Sequence, residues 1–157
     1  MKEELVITNQ PKEIPELPVT NCPPVINTIQ FSIPSNPISV NSYLKNTQFG
    51  RKFTPPKTKE YIEQTQISAK KHLLLNKSSL EQAQLPTSKP LTMSLTYYFS
   101  DKRRRDIDNY SKCILDALQT IIYNDDNQIQ HLTLSKCIDK ENPRTEVTIA
   151  IKEDNSE

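Results

Sequence analysis

Residues 91–99 alternate in the way that a β-strand with one buried face requires. One set of alternate positions is apolar throughout and consists of Leu91, Met93, Leu95, Tyr97 and Phe99. Because successive side chains of a strand point to opposite faces, this period of two predicts a strand with these positions in the core. The strand leads into the basic run Lys102–Arg105, so a core element and a charged segment meet at one end of the predicted sheet.

A helical period follows the basic run. Apolar residues recur at intervals of three and four and predict a helix from Asn109 with one continuous apolar face, formed by Tyr110, Cys113, Ile114, Ala117, Leu118 and Ile121. Asp108 or Asn109 is placed to cap its N-terminus.

Three more strands and one more helix complete the predicted fold. The strands are Thr28–Ile33, Ile129–Ile138 (with Leu132, Leu134 and Ile138 on one face) and Glu146–Lys152, and the helix runs from Thr58, its expected N-cap, to about Leu75. The order βαβαββ predicts an α+β fold of two layers. In it, a mainly antiparallel sheet of about four strands carries two helices on one face.

The composition divides the chain into three parts. With 12 prolines, one glycine and 34% hydrophobic residues in 157, one domain is expected to occupy only part of the length. We expect a proline-rich acidic arm at 1–27, a folded domain at 28–152 and an acidic tail at 153–157. The whole chain has 20 basic and 19 acidic side chains. The arm contains two lysines and four glutamates and the tail contains three acids, so the folded domain has 18 basic and 12 acidic side chains. A basic body is typical of polyanion-binding proteins, although charged surfaces more often serve only solvation.

The cysteines and the hydropathy indicate an intracellular protein. Cys22, Cys113 and Cys137 are odd in number and lack a paired spacing, and two of them fall inside apolar patterns, so reduced core thiols are expected rather than disulfides or a zinc site. No apolar run approaches the length of a membrane span, and the charged start is not a secretory signal. We therefore expect no membrane partner and a cytoplasmic location.

Carboxylates stand at both ends of the second predicted helix. Asp106 and Asp108 precede it, and Asp125 and Asp126 follow it. In an extended segment, Asp106 and Asp108 would both face solvent while Ile107 points inward. Their repulsion would be relieved by a divalent cation, and hard oxygen ligands favour Mg²⁺ or Mn²⁺.

The two pairs of acids lie far apart along the chain. The helix would be about 20 Å long at about 1.5 Å per residue. Gathering the acids therefore needs either a return strand or a shortened helix with a close-packed loop. An isolated Asp-x-Asp is more often a helix cap or a solvated surface, but here Lys112 lies one turn inside the helix and Lys102–Arg105 lie directly upstream. Metal-binding acids beside phosphate-binding cations are the parts that phosphodiester hydrolysis needs.

The motifs resemble those of a known family. RRRDIDNYSKCILDAL followed by DDNQI closely resembles the signature of the RusA family of Holliday junction resolvases, and PISVNSY and GRKFTPPKTKEYIE resemble two upstream segments of that family. The resemblance covers about Ile29–Ile151. It implies a homodimeric, Mg²⁺-dependent endonuclease of bacteria or their phages, acting on four-way junction DNA in recombination and repair.

The resemblance also implies roles for single residues. Asp106, Asp108 and Asp126 match the acids that bind Mg²⁺, and Lys112 matches a lysine implicated in catalysis. The expected DNA contacts are Lys102, Arg103, Arg104 and Arg105, with Arg51 and Lys52 in an upstream loop. Asp116 is expected to be structural, and the role of Asp125 stays open.

Two alternative functions remain at this stage. A non-catalytic protein that binds branched DNA would have the same basic body, although binding DNA gains nothing from clustered acids. A nuclease of broader range, acting on branched or flapped DNA, would need the same acids and cations as a junction resolvase, so these residues do not separate the two.

Overall fold

The structure is a computed structural model and describes residues 27–43, 45–46, 48–76 and 84–152. The arm expected at 1–27 lies outside these residues except for Asn27, and Cys22 and the tail expected at 153–157 also lie outside them.

A four-stranded mixed sheet carries the fold. Its strands are β1 (Asn27–Ile33), β4 (Leu91–Phe99), β5 (Ile129–Ile138) and β6 (Arg144–Ile151), in the spatial order β1-β6-β4-β5. β6 is antiparallel to β1 and β4, whereas β5 is parallel to β4. The predicted α+β class, the four strands and the βαβαββ order of the long elements are confirmed.

Two helices cover one face of this sheet. These are α2 (Pro56–Leu75) and α3 (Lys112–Leu118). The five alternating positions of β4 are all buried beneath them, as the sequence predicts. On α2, Tyr61 is buried with its hydroxyl 3.0 Å from Thr145 Oγ1 of β6. This contact fixes the helix to the sheet.

Smaller elements connect the long ones. α1 (Val40–Tyr43) leads into a hairpin of β2 (Lys45–Asn46) and β3 (Lys52–Phe53), and 3-10 helices form at Ile107–Tyr110 and Asp126–Gln128. The single helix expected from Asn109 to Ile121 is therefore a 3-10 turn followed by a seven-residue α-helix.

The helix caps predicted from sequence are wrong. α2 starts at Pro56, and the Thr58 hydroxyl donates to the carbonyl of Ser42 at 2.9 Å instead of capping the helix. α3 has Ser111 at its N-cap position without a side-chain cap bond, so neither Asp108 nor Asn109 caps it. At the start of α2 the Thr58 hydroxyl makes a tertiary contact, and α3 follows directly on a 3-10 turn. Neither feature can be predicted from local residue preference.

The second helix ends early because the chain after it turns back. Thr120 has a positive φ of 68°, and Tyr123 is buried with its hydroxyl donating to the Leu115 carbonyl at 2.7 Å. The helix is thus shortened and followed by a close-packed loop, which is one of the two arrangements that gathering the acids would need.

β5 is an edge strand whose helix-facing side is only partly covered. Leu132 and Leu134 pair with Met93 and Leu95 of the core strand, as their predicted shared face requires. Leu132 is nevertheless 39% exposed and Ile138 is 46% exposed. Cys137, expected to be a core thiol, is also exposed because it lies on this edge strand, whereas Cys113 of α3 is buried. In the part of the chain that the structure describes, no helix is long and apolar enough to cross a membrane.

Candidate acidic site and nucleic-acid interface

Asp106 and Asp108 lie where the chain leaves β4 and enters α3. Asp106 has an extended backbone (φ −88°, ψ 117°), and Asp108 is in the 3-10 helix that follows it. Ile107 packs against the core while both acids are exposed, as predicted, although the segment is only partly extended. In the stretches that the structure describes, neither carboxylate forms an ion pair or accepts a hydrogen bond. Both are therefore open to a ligand.

Asp126 is brought to the start of α3 by Lys112. The Lys112 ammonium lies 2.7 Å from Asp116 Oδ1 and 3.1 Å from Asp126 Oδ2. The two carboxylates, with Asp116 contributing more, raise the pKa of Lys112 above its usual range. The side chain consequently stays a cation at physiological pH and holds the loop after α3 against the first turn of that helix.

The described ranges contain no group of three or more His, Cys, Asp or Glu side chains arranged to hold a metal ion. Asp126 is paired with Lys112, and a three-carboxylate set is not assembled among the residues that the structure describes. The free oxygens of Asp106 and Asp108 are of the hard kind that Mg²⁺ prefers. The donor chemistry thus fits the ion, and the three ligand roles stay predictions.

Asp125 has a structural role that the sequence left open. Its carboxylate accepts from the backbone N–H of Asn127 at 2.9 Å, and its own N–H donates to Gln128 Oε1 at 2.8 Å. This capping box fixes the 3-10 turn that presents Asp126. The Gln128 amide also donates to the carbonyls of Thr87 and Lys89. Gln128 was not among the predicted residues, although the Asp-x-x-Gln spacing is the signature of such a box.

A basic cleft opens beside the acids. Its volume is about 880 Å³, and it is lined by residues of the loop before α1, the start of α2 and the segment before Asp106. The cationic lining residues are Lys45, Lys57, Arg103, Arg104 and Arg105, and the described lining contains no acidic side chain. Lys45 was not among the predicted DNA contacts, because it is isolated from the other basic residues in sequence.

The predicted arginines differ in how they are held. Arg103 and Arg105 both pair with Asp101, which lowers the pKa of that carboxyl well below its usual range, Arg105 contributing most. The Arg105 side chain is only 14% exposed and stacks 4.5 Å above the Phe99 ring, whereas that of Arg103 is 80% exposed. Arg105 is thus largely built into the cleft wall.

The remaining predicted contacts are exposed, and of these Arg104 lines the cleft. Lys102 and Arg104 are exposed beside Arg103, and Arg51 and Lys52 are exposed on the β2–β3 hairpin. Across the sheet, the Lys136 ammonium donates to the Arg105 carbonyl at 2.8 Å and anchors the backbone just before Asp106.

Together, a mixed α+β sheet, a cationic cleft and exposed acids that directly follow its arginines in sequence define a domain suited to binding a polyanion. The chain belongs to the RusA endodeoxyribonuclease family, whose model, described as "Endodeoxyribonuclease RusA", matches residues 34–150. A protein of Bacillus subtilis (strain 168) described as "Uncharacterized protein YqaN" is 50% identical over 44 residues, which are 28% of this chain and 30% of that relative. The match thus spans less than a third of the relative's length. The predicted family is confirmed.

Proposed function

We propose that this protein is a Mg²⁺-dependent endodeoxyribonuclease that resolves four-way DNA junctions by paired symmetric nicks. Family membership supports the nuclease class, and the basic cleft beside exposed carboxylates supports a DNA backbone as the ligand. The expected cytoplasmic location and a role in recombination and repair belong to the same proposal.

The observation that carries the proposal is the bridge from Lys112 to Asp126. It joins the loop after α3 to the helix whose preceding turn holds Asp108, and it pairs the Lys112 cation with Asp126, one of the acids that the family motif selects. Because its pKa is raised, Lys112 is a poor general base, and it is better suited to contacting the scissile phosphate.

Asp106, Asp108 and Asp126 would hold the metal ion. A bound Mg²⁺ supplies a Lewis acid for the phosphate and a means of activating water. For Asp126 to become a ligand, Lys112 must release its carboxylate, and Asp116 is the partner that would retain the ammonium.

The cleft residues bind and orient the substrate. Arg103, Arg104, Lys45 and Lys57 line one continuous surface on which successive phosphates can be neutralised. Asp101 pre-orients Arg103 by an ion pair of 2.9 Å, which reduces the conformational freedom lost when that arginine takes up a phosphate.

We further propose that the protein acts as a homodimer. A four-way junction has two-fold symmetry, so two copies of the site related by the same symmetry can cut opposed strands. Analytical ultracentrifugation of the full chain tests this directly, and a monomer at micromolar concentration with and without junction DNA would contradict it.

The decisive experiment compares cleavage of a synthetic four-way junction, a linear duplex and a flap, with and without Mg²⁺. The wild-type protein should cut the junction only with the metal, and Asp108→Asn should abolish cutting while junction binding persists. Full cleavage by Asp108→Asn would contradict the assigned site. Binding without any cleavage would favour the non-catalytic alternative, and equal cutting of flaps would favour the broader nuclease.

A further inference from the structure

The tip of the β2–β3 hairpin exposes an aromatic ring. Phe49 is 90% exposed, more than any other large apolar side chain in the described residues. It adjoins Gly50, whose φ of +73° forms the turn and which is the only glycine of the chain. A ring that is solvated to this extent contributes little to folding, so its position needs another explanation.

The surroundings of Phe49 are cationic. Lys45 and Lys52 lie on the two hairpin strands, and Arg51 lies two residues beyond the ring, all of them exposed. Aromatic faces interspersed with cations match nucleic acid, because bases stack on the rings while phosphates pair with the charges.

The base of the hairpin is fixed beside the acidic site. α1, which directly precedes the hairpin, packs against both the 3-10 helix of Asp108 and α3, and Ser42 is tied to Thr58 of α2 by a 2.9 Å hydrogen bond. Lys45, at the foot of the hairpin, lines the basic cleft together with Arg104. A strand with phosphates in the cleft would therefore run past the foot of the hairpin, with its bases within reach of the tip.

The exposed apolar residues of α2, which are Ile67, Leu74 and Leu75, lie outside this cationic hairpin. Phe53 lies within it on β3, but it is only 44% exposed. In linear duplex DNA, moreover, every internal base is already stacked on its neighbours. Unstacked bases occur at a branch point, where strands exchange between duplexes.

We infer that Phe49 is a specificity-determining residue that stacks on an unstacked base at the branch point of the DNA. This inference rests on the proposed function and adds to it a physical basis for choosing branched over linear DNA. The hairpin would read the shape of the junction, while the cleft binds its backbone independently of sequence.

The test measures equilibrium binding of the full chain without divalent metal to a four-way junction and to a linear duplex of the same length. A 2-aminopurine at the branch point reports stacking by its fluorescence. Phe49→Ala should weaken junction binding by about 5- to 150-fold and abolish the fluorescence change, and duplex binding should change less than about twofold. Phe49→Trp should restore both signals.

Ile67→Ala, which removes another exposed apolar side chain, is the matched control and should alter neither affinity. Thermal unfolding should be the same for all variants, because Phe49 is solvated. Unchanged junction affinity in Phe49→Ala, or an equal loss for junction and duplex, would overturn the inference and leave the proposed function intact. A wild-type protein that binds junction and duplex equally would instead overturn both.

Discussion

The Lys112 ammonium lies 3.1 Å from the carboxylate of Asp126, although 14 residues separate the two in sequence. The same ammonium is 2.7 Å from Asp116, one helical turn further along α3. A single cation thus joins the helix to the loop that follows it. This arrangement makes Asp116 a positioning residue for Lys112.

Removing the charge of Asp116 should weaken the reaction modestly. Asp116→Asn should lower kcat for junction cleavage about 2- to 5-fold with KM unchanged, because the pair is partly exposed and such pairs contribute little energy. NMR titration should show a lower pKa for Lys112 in this variant. Lys112→Ala should lower kcat about 100-fold or more. Equal losses in the two variants would contradict a merely positioning role for Asp116.

The adjacent acids Asp125 and Asp126 should respond differently to the same substitution. Asp126→Asn should reduce Mg²⁺-dependent cleavage by about 100-fold or more, because a proposed metal ligand is lost. Asp125→Asn should leave the single-turnover rate within about threefold, since asparagine caps a helical turn nearly as well as aspartate. The reverse order of effects would assign the ligand to Asp125.

Arg104 and Arg105 form a matched pair of neighbours with different burial. Arg105→Ala should destabilise the fold by about 1–2 kcal/mol in urea unfolding, because it removes the stack on Phe99 and the pair with Asp101. Arg104→Ala should leave stability unchanged, weaken DNA binding and reduce the salt slope by about 1. If Arg105→Ala were as stable as the wild type, the structural role given to Arg105 would be wrong.

The pKa of Asp101 predicts a pH-dependent contribution to stability. Because the folded-state pKa is depressed below the ordinary value of 3.8, the ion pairs stabilise the protein fully above that pH, and the contribution is lost as the pH falls below it. The difference in melting temperature between the wild type and Asp101→Asn should therefore be constant from pH 6 to 7 and shrink below about pH 4. A difference that is as large at pH 2.5 as at pH 7 would contradict this assignment.

Loss of the hydroxyl should change the free energy of unfolding differently at two buried tyrosines. Tyr61→Phe should destabilise the protein by about 1–2 kcal/mol, because it leaves the buried Thr145 hydroxyl without its partner. Tyr97→Phe should be neutral or stabilising, since the Tyr97 hydroxyl is buried without a hydrogen-bond partner among the described residues. Chemical denaturation of both variants measures the difference.

The positions of the long elements were predictable because burial imposes a local period. β4 and β5 have the predicted bounds, and β1 and α2 each begin within two residues of their predicted first residue. The helix caps were not predictable, since the hydroxyl of Thr58 is used for a contact with Ser42 from another part of the chain. The capping box at Asp125 follows the local Asp-x-x-Gln spacing and was therefore predictable from sequence.

The sequence by itself determined the order of strands and helices, the basic body and the family, because periodicity, charge and motif are properties of neighbouring residues. Only the tertiary structure decided that α3 is short, that Arg105 is part of the cleft wall and that Lys112 holds Asp126. The short α3 and the contact between Lys112 and Asp126 depend on how the chain turns back at Thr120 and packs Tyr123 beneath α3, whereas the position of Arg105 depends on its contacts with Asp101 and Phe99. Such contacts join residues that no local pattern relates.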